Sequence, residues 1–271
     1  MKASKADIYS KYGIKYQAGK IESPMFGMIN PLLVDGNSKL GKGVWTWSML
    51  PGTETYHVNI GSKAESDYMD IKGTCVCDCQ GCYAKTGFFR MNSTVKSLAI
   101  KTGIARLYTD FMVNAIMAQI EADNIKLVRI HAAGDFFSTN YIKAWYRIAI
   151  ECTNTVFWTY TKNNEAVNAF DDLNNINIVK SCIPGIGFNF GHCDYIIKAY
   201  EALKAAGHDP YICRCGIDPN QHCINCKGCS AHKYVLFVEH STNYKAVDDP
   251  LYSKLVDIVE SQAFDSEYIP F

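Results

Sequence analysis

Nowhere in the 271 residues is there a run of about 18 apolar side chains, the length a helix needs to cross a bilayer, so no membrane partner is expected. The opening stretch, MKASKADIYSKYGIK, is polar and has none of the apolar core of a secretory leader, so the chain reads as cytoplasmic. Net charge is also missing. The 27 Lys and Arg balance 27 Asp and Glu, which leaves no global attraction to nucleic acid or to a lipid surface. One local absence is sharper: residues 79 to 109 contain no Asp or Glu but carry Lys85, Arg90, Lys96, Lys101 and Arg106. Lys85 and Lys96, like Arg90 and Lys101, are eleven residues apart and share an azimuth on a helix. The segment is therefore expected to be either a solvated helix face or a basic surface for a phosphate-bearing substrate, and nucleic acid enters as a partner on that ground. Five lysines against a single Asp in residues 1 to 20 repeat the hint more weakly.

What the chain does have is apolar content and sulfur. A hydrophobic share of 48% can bury a full core, in one barrel-like α/β domain or two small ones. Twelve cysteines would suit a disulfide scaffold in a small secreted chain, but in a reducing compartment clustered thiols more often bind metal. Nine of the twelve fall into two clusters, and Cys152, Cys182 and Cys193 read as ordinary buried thiols.

Strand and helix patterns alternate through the middle of the chain. Ile104, Leu107, Phe111, Ala115 and Ala118 recur at helical spacing, and IKLVRI (125 to 130) then reads as a strand. A capped helix over STNYIKAWYRIAIEC, a strand at 155 to 161, a helix at 163 to 173, a strand at 176 to 182 and a helix at 193 to 206 follow. Such alternation predicts an α/β fold of mainly parallel strands, either a doubly wound sheet or a partial (β/α) barrel. Residues 1–210 are expected to form this core with an N-terminal extension, and 211–271 a cysteine-rich metal segment with a final strand and helix. Alternation along 127 to 133 puts Val128, Ile130 and Ala132 on one face and Arg129, His131 and Ala133 on the other, where a polar lumen is expected.

The first cluster is GTCVCDCQGCYAKTGFF, with Cys75, Cys77, Cys79 and Cys82. Cys75, Cys79 and Cys82 form C-x3-C-x2-C, and three thiolates on one tight loop can hold three irons of a 4Fe-4S cluster and leave the fourth open. Cys77 is surplus; it could replace a neighbour or supply a fourth ligand and close the cluster. The spacing, IHAAGDFF at 130 to 137, YTKN at 160 to 163 and Ser181 in VKSCIPG together resemble the radical S-adenosylmethionine superfamily. That resemblance implies a catalytic cluster on Cys75, Cys79 and Cys82, with S-adenosylmethionine bound by Tyr83, Ala133, Gly134, Asp135, Thr159, Thr161 and Ser181. It also implies a reductant such as a flavodoxin or ferredoxin and an unidentified substrate. A narrower resemblance, carried by WTWSMLPG, CYA, RIHAAGDFFSTNYIKAWYRIA, FWTYTKN and CINCKGC, is to the phage gene product 88 family.

The second cluster, CRCGIDPNQHCINCKGCSAHKY, offers Cys213, Cys215, Cys223, Cys226 and Cys229. C-x2-C-x2-C preceded by another cysteine pair points to a metal, because such ligand density has little use as packing. Zinc would make it a structural knuckle, and a second 4Fe-4S cluster could relay electrons or ligate substrate; the fourth ligand is Cys213 or Cys215. Two rivals to the enzyme reading stand beside it, a metal-stabilised nucleic-acid-binding protein and a two-cluster electron carrier.

Overall fold

The computed structural model describes residues 3–36, 40–61, 67–77, 79, 82–218, 220–226, 228–238 and 250–262. Its centre is a five-stranded sheet whose spatial order is Ile176–Lys180, Val156–Thr161, Leu127–Ile130, Val44–Trp47, Val34–Asp35. The first four run parallel and the short edge strand antiparallel. Trp47 pairs with Ile130, and Ile130 with Thr159, so two of the three central strands end level and Val156–Thr161 runs two residues further. Among the described residues the sheets stay open, and none closes into a barrel.

The sequence explains why these elements form. Ser138 caps the helix Thr139–Glu151 by accepting from the Tyr141 N–H at 3.3 Å, and Tyr141, Ile142, Trp145 and Ile148 follow at the spacing of one face. The helix Thr109–Asp123 buries Met112, Val113, Ile116 and Ile120 and ends at left-handed Asn124. These two helices cover one face of the sheet, where Trp47, Val128, Ile130 and Phe157 join them in the main core. The N-terminal part is tied to the same layer by Gln119, whose amide accepts from the Leu33 N–H at 2.8 Å and donates to the Leu33 carbonyl at 2.9 Å. The helix expected over 163 to 173 is shorter, Asn164–Asn168, and the polar segment after it turns so that the Asn175 amide caps the carbonyls of Ala149, Cys152 and Thr155.

The opposite face of the sheet is covered by the cysteine-rich segment. Val44, Leu127, Trp158 and Val179 pack there against Tyr211, Cys213, Cys226, Cys229 and Val235. Beside it, Phe190–Gly191, Tyr234–Val238 and Pro210–Ile212 form a second parallel sheet. Ile196, Ile197 and Leu203 of the helix Cys193–Ala205 share a core with Leu236, Val238, Leu255 and Val259. None of the described helices is long and apolar enough to cross a membrane.

Candidate site at the carboxyl ends of the parallel strands

Past Trp47 the chain runs alongside the turn that follows Ile130: the Ala132 N–H donates to Trp47 at 3.1 Å and the Met49 N–H to Ala133 at 2.9 Å. The first cysteine loop is laced onto this pair of strand ends. Thr74 gives both its N–H and its hydroxyl to the Leu50 carbonyl, each at 2.9 Å, and its oxygen accepts from the Asp135 N–H at 3.2 Å. Cys75 N–H donates to Gly52 at 3.0 Å, and the Gly52 N–H returns to the Cys75 sulfur at 3.1 Å. On the far side of the loop the Tyr83 hydroxyl donates to the Ala132 carbonyl. Cys75, Cys79 and Cys82 are half-buried and Cys77 is exposed, while Asp78, Gln80 and Gly81 lie outside the described residues.

Asp135 is the buried centre of this arrangement. Its carboxylate accepts from the Thr161 hydroxyl at 2.5 Å, the Phe136 N–H at 2.7 Å and the Lys162 N–H at 3.0 Å, so it joins the ends of two neighbouring strands. Burial outweighs these bonds and holds its pKa above the ordinary carboxylate value. Burial alone would lower Lys162, but the sulfurs of Cys79 and Cys77 and the Asp135 carboxylate outweigh it and raise the ammonium's pKa. The Cys75 thiol is pushed up to about 12, by burial first and by the neighbouring Asp135 and cysteines after it. Ser181, at the end of the adjacent strand, donates its N–H to Thr161 at 2.9 Å. Cys75, Asp135, Thr161, Lys162 and Ser181 therefore gather where parallel α/β folds collect ligands.

Ala133 is buried and Gly134 sits at φ +87°, a conformation that side-chain-bearing residues rarely adopt. A Cβ at Gly134 would stand 2.5 Å from the Thr74 hydroxyl oxygen and 3.1 Å from the Met49 Cβ. Gly134→Ala is expected to cost about 3 kcal/mol, combining left-handed strain with loss of the Thr74 contacts. Adding Thr74→Ala should recover part of that loss, and strictly additive urea midpoints for the pair would show that the clash is not the cause.

His131 is a correction to the strand-alternation reading. The strand stops at Ile130, and His131, at φ +60°, turns its ring into the helix-covered core. There Nε2 lies 2.9 Å from the Tyr141 hydroxyl and Nδ1 3.3 Å from the Thr159 hydroxyl. Thr159 is fully buried against this histidine and does not line the strand-end site. The acid-free segment is also not one basic face. Lys85 pairs with Glu54, Lys96 donates to the Gly61 carbonyl, and Arg106 donates to the Lys72 and Gly73 carbonyls while lying 4.3 Å over Phe137. Lys101 is buried above Trp47, where desolvation lowers it to about 8. Cys182, expected to be buried, is exposed.

The second cluster is carried by two helical turns, Cys223–Cys226 and Gly228–Ala231, and by the segment after Ile212. Cys213, Cys226 and Cys229 are buried, and Cys215 and Cys223 are half-buried. Among the described residues no three or more His, Cys, Asp or Glu side chains are grouped so as to hold a metal ion as they stand.

A family model described as Gene product 88 matches residues 31–182. That window holds the four parallel strands, the first cysteine loop and the strand-end turns, and it stops before the second cysteine cluster. The Gene 88 protein of Mycobacterium phage D29 is 33% identical over 81 residues, covering 26% of this chain and 34% of that protein. The Gene 88 protein of Mycobacterium phage L5 is 49% identical over 37 residues, covering 14% of this chain and 16% of that protein. The chain thus spans about a third or less of the curated relatives it matches. No solved structure matches. Because the family match takes in more than half of the sequence and the whole strand-end site, the chain belongs to the gene product 88 family.

Proposed function

We propose that this protein is an iron-sulfur enzyme of the radical S-adenosylmethionine type, built on an open, partial (β/α) barrel. One observation carries the reading: a single loop bearing Cys75, Cys79 and Cys82 is bonded through Thr74 and Tyr83 to the Ala132–Asp135 turn, at the carboxyl ends of parallel strands. The donor set suits the group, since three of the thiols are half-buried while Cys77 is the exposed one of the four. On this reading Cys75, Cys79 and Cys82 hold a 4Fe-4S cluster with one open iron. A cluster held there would supply one-electron reduction of bound S-adenosylmethionine, the cofactor carrying the difficult chemistry.

The chain's own residues hold and orient. The Ala133–Gly134 backbone and Ser181 border the cofactor. Asp135 acts from beneath as a positioning residue, because its carboxylate is already occupied by Thr161, Phe136 and Lys162. The Lys162 ammonium beside Cys79 offers a cation to a phosphate-bearing substrate or to the cofactor carboxylate. Exposed Tyr83 leaves a ring face at the rim of the loop. A flavodoxin- or ferredoxin-like donor would supply electrons.

The test is anaerobic reconstitution with iron and sulfide, reduction, and assay for 5′-deoxyadenosine. Turnover is expected from the cluster-replete protein. A replete, reduced sample that releases none would overturn the enzyme reading, and salt-sensitive oligonucleotide binding by that sample would move the assignment to a metal-stabilised nucleic-acid-binding protein.

A further inference from the structure

We propose that the second cysteine cluster binds a single zinc-like ion through four thiolates, Cys223, Cys226 and Cys229 with Cys213 or Cys215, and that Arg129 is the buried counter-charge of this anionic centre.

The first observation is the shape of the space. Cys213, Cys215, Cys223, Cys226 and Cys229 line one narrow cavity of about 10 Å³, floored by Leu127 and Trp158 of the central sheet. That is room for roughly one water-sized sphere, a size that suits a single ion. The walls are braced. The Tyr211 hydroxyl is 3.1 Å from the Cys226 sulfur, and the Asn177 amide donates to the carbonyls of Cys229 at 2.9 Å and His232 at 2.8 Å. An all-sulfur set selects a soft or borderline cation such as zinc over calcium or magnesium. Binding would release the thiol protons to solvent and leave four thiolates on a divalent ion, a centre with net charge about −2.

The second observation is independent of the sulfurs. Strand alternation turns Arg129 to the face that the cysteine segment covers, the face of Leu127, and Arg129 pairs in register with Trp158 of the neighbouring strand. Its guanidinium carbon lies 4.9 Å over the Tyr160 ring, Nη2 donates to the Tyr83 hydroxyl at 3.3 Å, and Nε is buried with no hydrogen-bond partner. No carboxylate pairs with it among the described residues. A buried guanidinium left without an anion costs several kcal/mol. Tyr83 and Tyr160 first, and then Cys223 and Cys229, are the groups whose negative charge would favour the charged guanidinium. A tetrathiolate ion therefore satisfies two features at once, the ring of thiols and the unpaired cation. Through Tyr83 the same guanidinium reaches the loop of the first cysteine cluster, which makes it the link between the two.

The inference stands apart from the enzyme reading, and its test uses a protein without the first site. In the full chain carrying Cys75→Ala, Cys79→Ala and Cys82→Ala, metal analysis is expected to find about one zinc per chain. Iron with acid-labile sulfide in that variant, or no bound metal, would overturn the site. Cobalt(II) added to the metal-depleted wild-type chain should give the intense ligand-field and sulfur charge-transfer bands of tetrahedral thiolate, and octahedral bands would count against it. Chelator competition should show zinc bound about tenfold more weakly in Arg129→Met, a typical effect for a residue just outside the ligand shell, with Arg129→Lys closer to wild type. Equal affinities in wild type and Arg129→Met would remove the counter-charge role.

Discussion

Lowering the pH from 6.5 to 4 is expected to remove about 3 kcal/mol of stability through one side chain, His131. Burial lowers its pKa to about 3, against an ordinary value of 6.5, so the folded chain keeps the ring neutral where the unfolded chain protonates it. A group depressed in this way contributes stability that is full above about 6.5 and is lost as the pH falls toward 3. The hydrogen bonds say why the neutral form is preferred. Trp47 Nε1 can only donate, and it gives its proton to the Tyr141 oxygen at 2.7 Å. The Tyr141 hydroxyl then donates to His131 Nε2, which leaves the Nδ1 proton for the Thr159 oxygen. Protonating Nε2 would set two donors against each other and place an unpaired charge beside Phe136 and Tyr141. Asp135, whose pKa is raised, works in the opposite sense and softens the acid limb. Urea midpoints at pH 7 and pH 4 for wild type and His131→Asn measure the effect, asparagine tolerating the same positive φ without titrating. Parallel pH losses in the two proteins would rule the histidine out.

Trp47→Ala is expected to cost about 4 kcal/mol and to lower Tm by on the order of 10 °C. Trp47 is fully buried, stands edge-on to Trp145 with ring centres 6.2 Å apart, and is the donor that begins the Tyr141–His131–Thr159 chain. Alanine would leave a cavity at the junction of the sheet and two helices, and it would free the Lys101 ammonium from the ring 5.8 Å beneath it. Trp47→Phe keeps most of the volume and loses only the N–H, so about 1 to 2 kcal/mol is expected there. Calorimetry on both variants checks the order, and equal losses would mean that the hydrogen bond, not the packing, dominates.

The parts of this fold that could be read in advance are those whose periodicity is strong and local. Strands 127–130, 156–161 and 176–180 and helices 139–151 and 193–205 lie within a few residues of where their apolar spacing predicts them. Strand Val44–Trp47 overlaps the start of WTWSMLPG, which carried a resemblance but too short an alternation to be read as a strand. The meander over Tyr16–Ile29 and the hairpin over Thr55–Lys72 have equally brief patterns.

By itself the sequence determined which residues stand out as candidates: two dense cysteine clusters, the Ala133–Gly134–Asp135 turn and the strand-end Thr161 and Ser181. Spacing along the chain is a local property, and these signals depend on nothing else. Tertiary structure alone decided which way the side chains turn and what they meet. One positive φ at His131 ended the alternation and sent that ring into the core, against Thr159 of the neighbouring strand. Lys101 was withdrawn from a surface that its helical azimuth had promised, because a helix's buried side is set by what it packs against. The second cysteine cluster came to rest on the sheet face of Leu127 and Arg129, about 90 residues away in sequence, where a buried guanidinium also meets Tyr83 and Tyr160. Contacts across such separations depend on packing and burial, which no local pattern in the chain encodes.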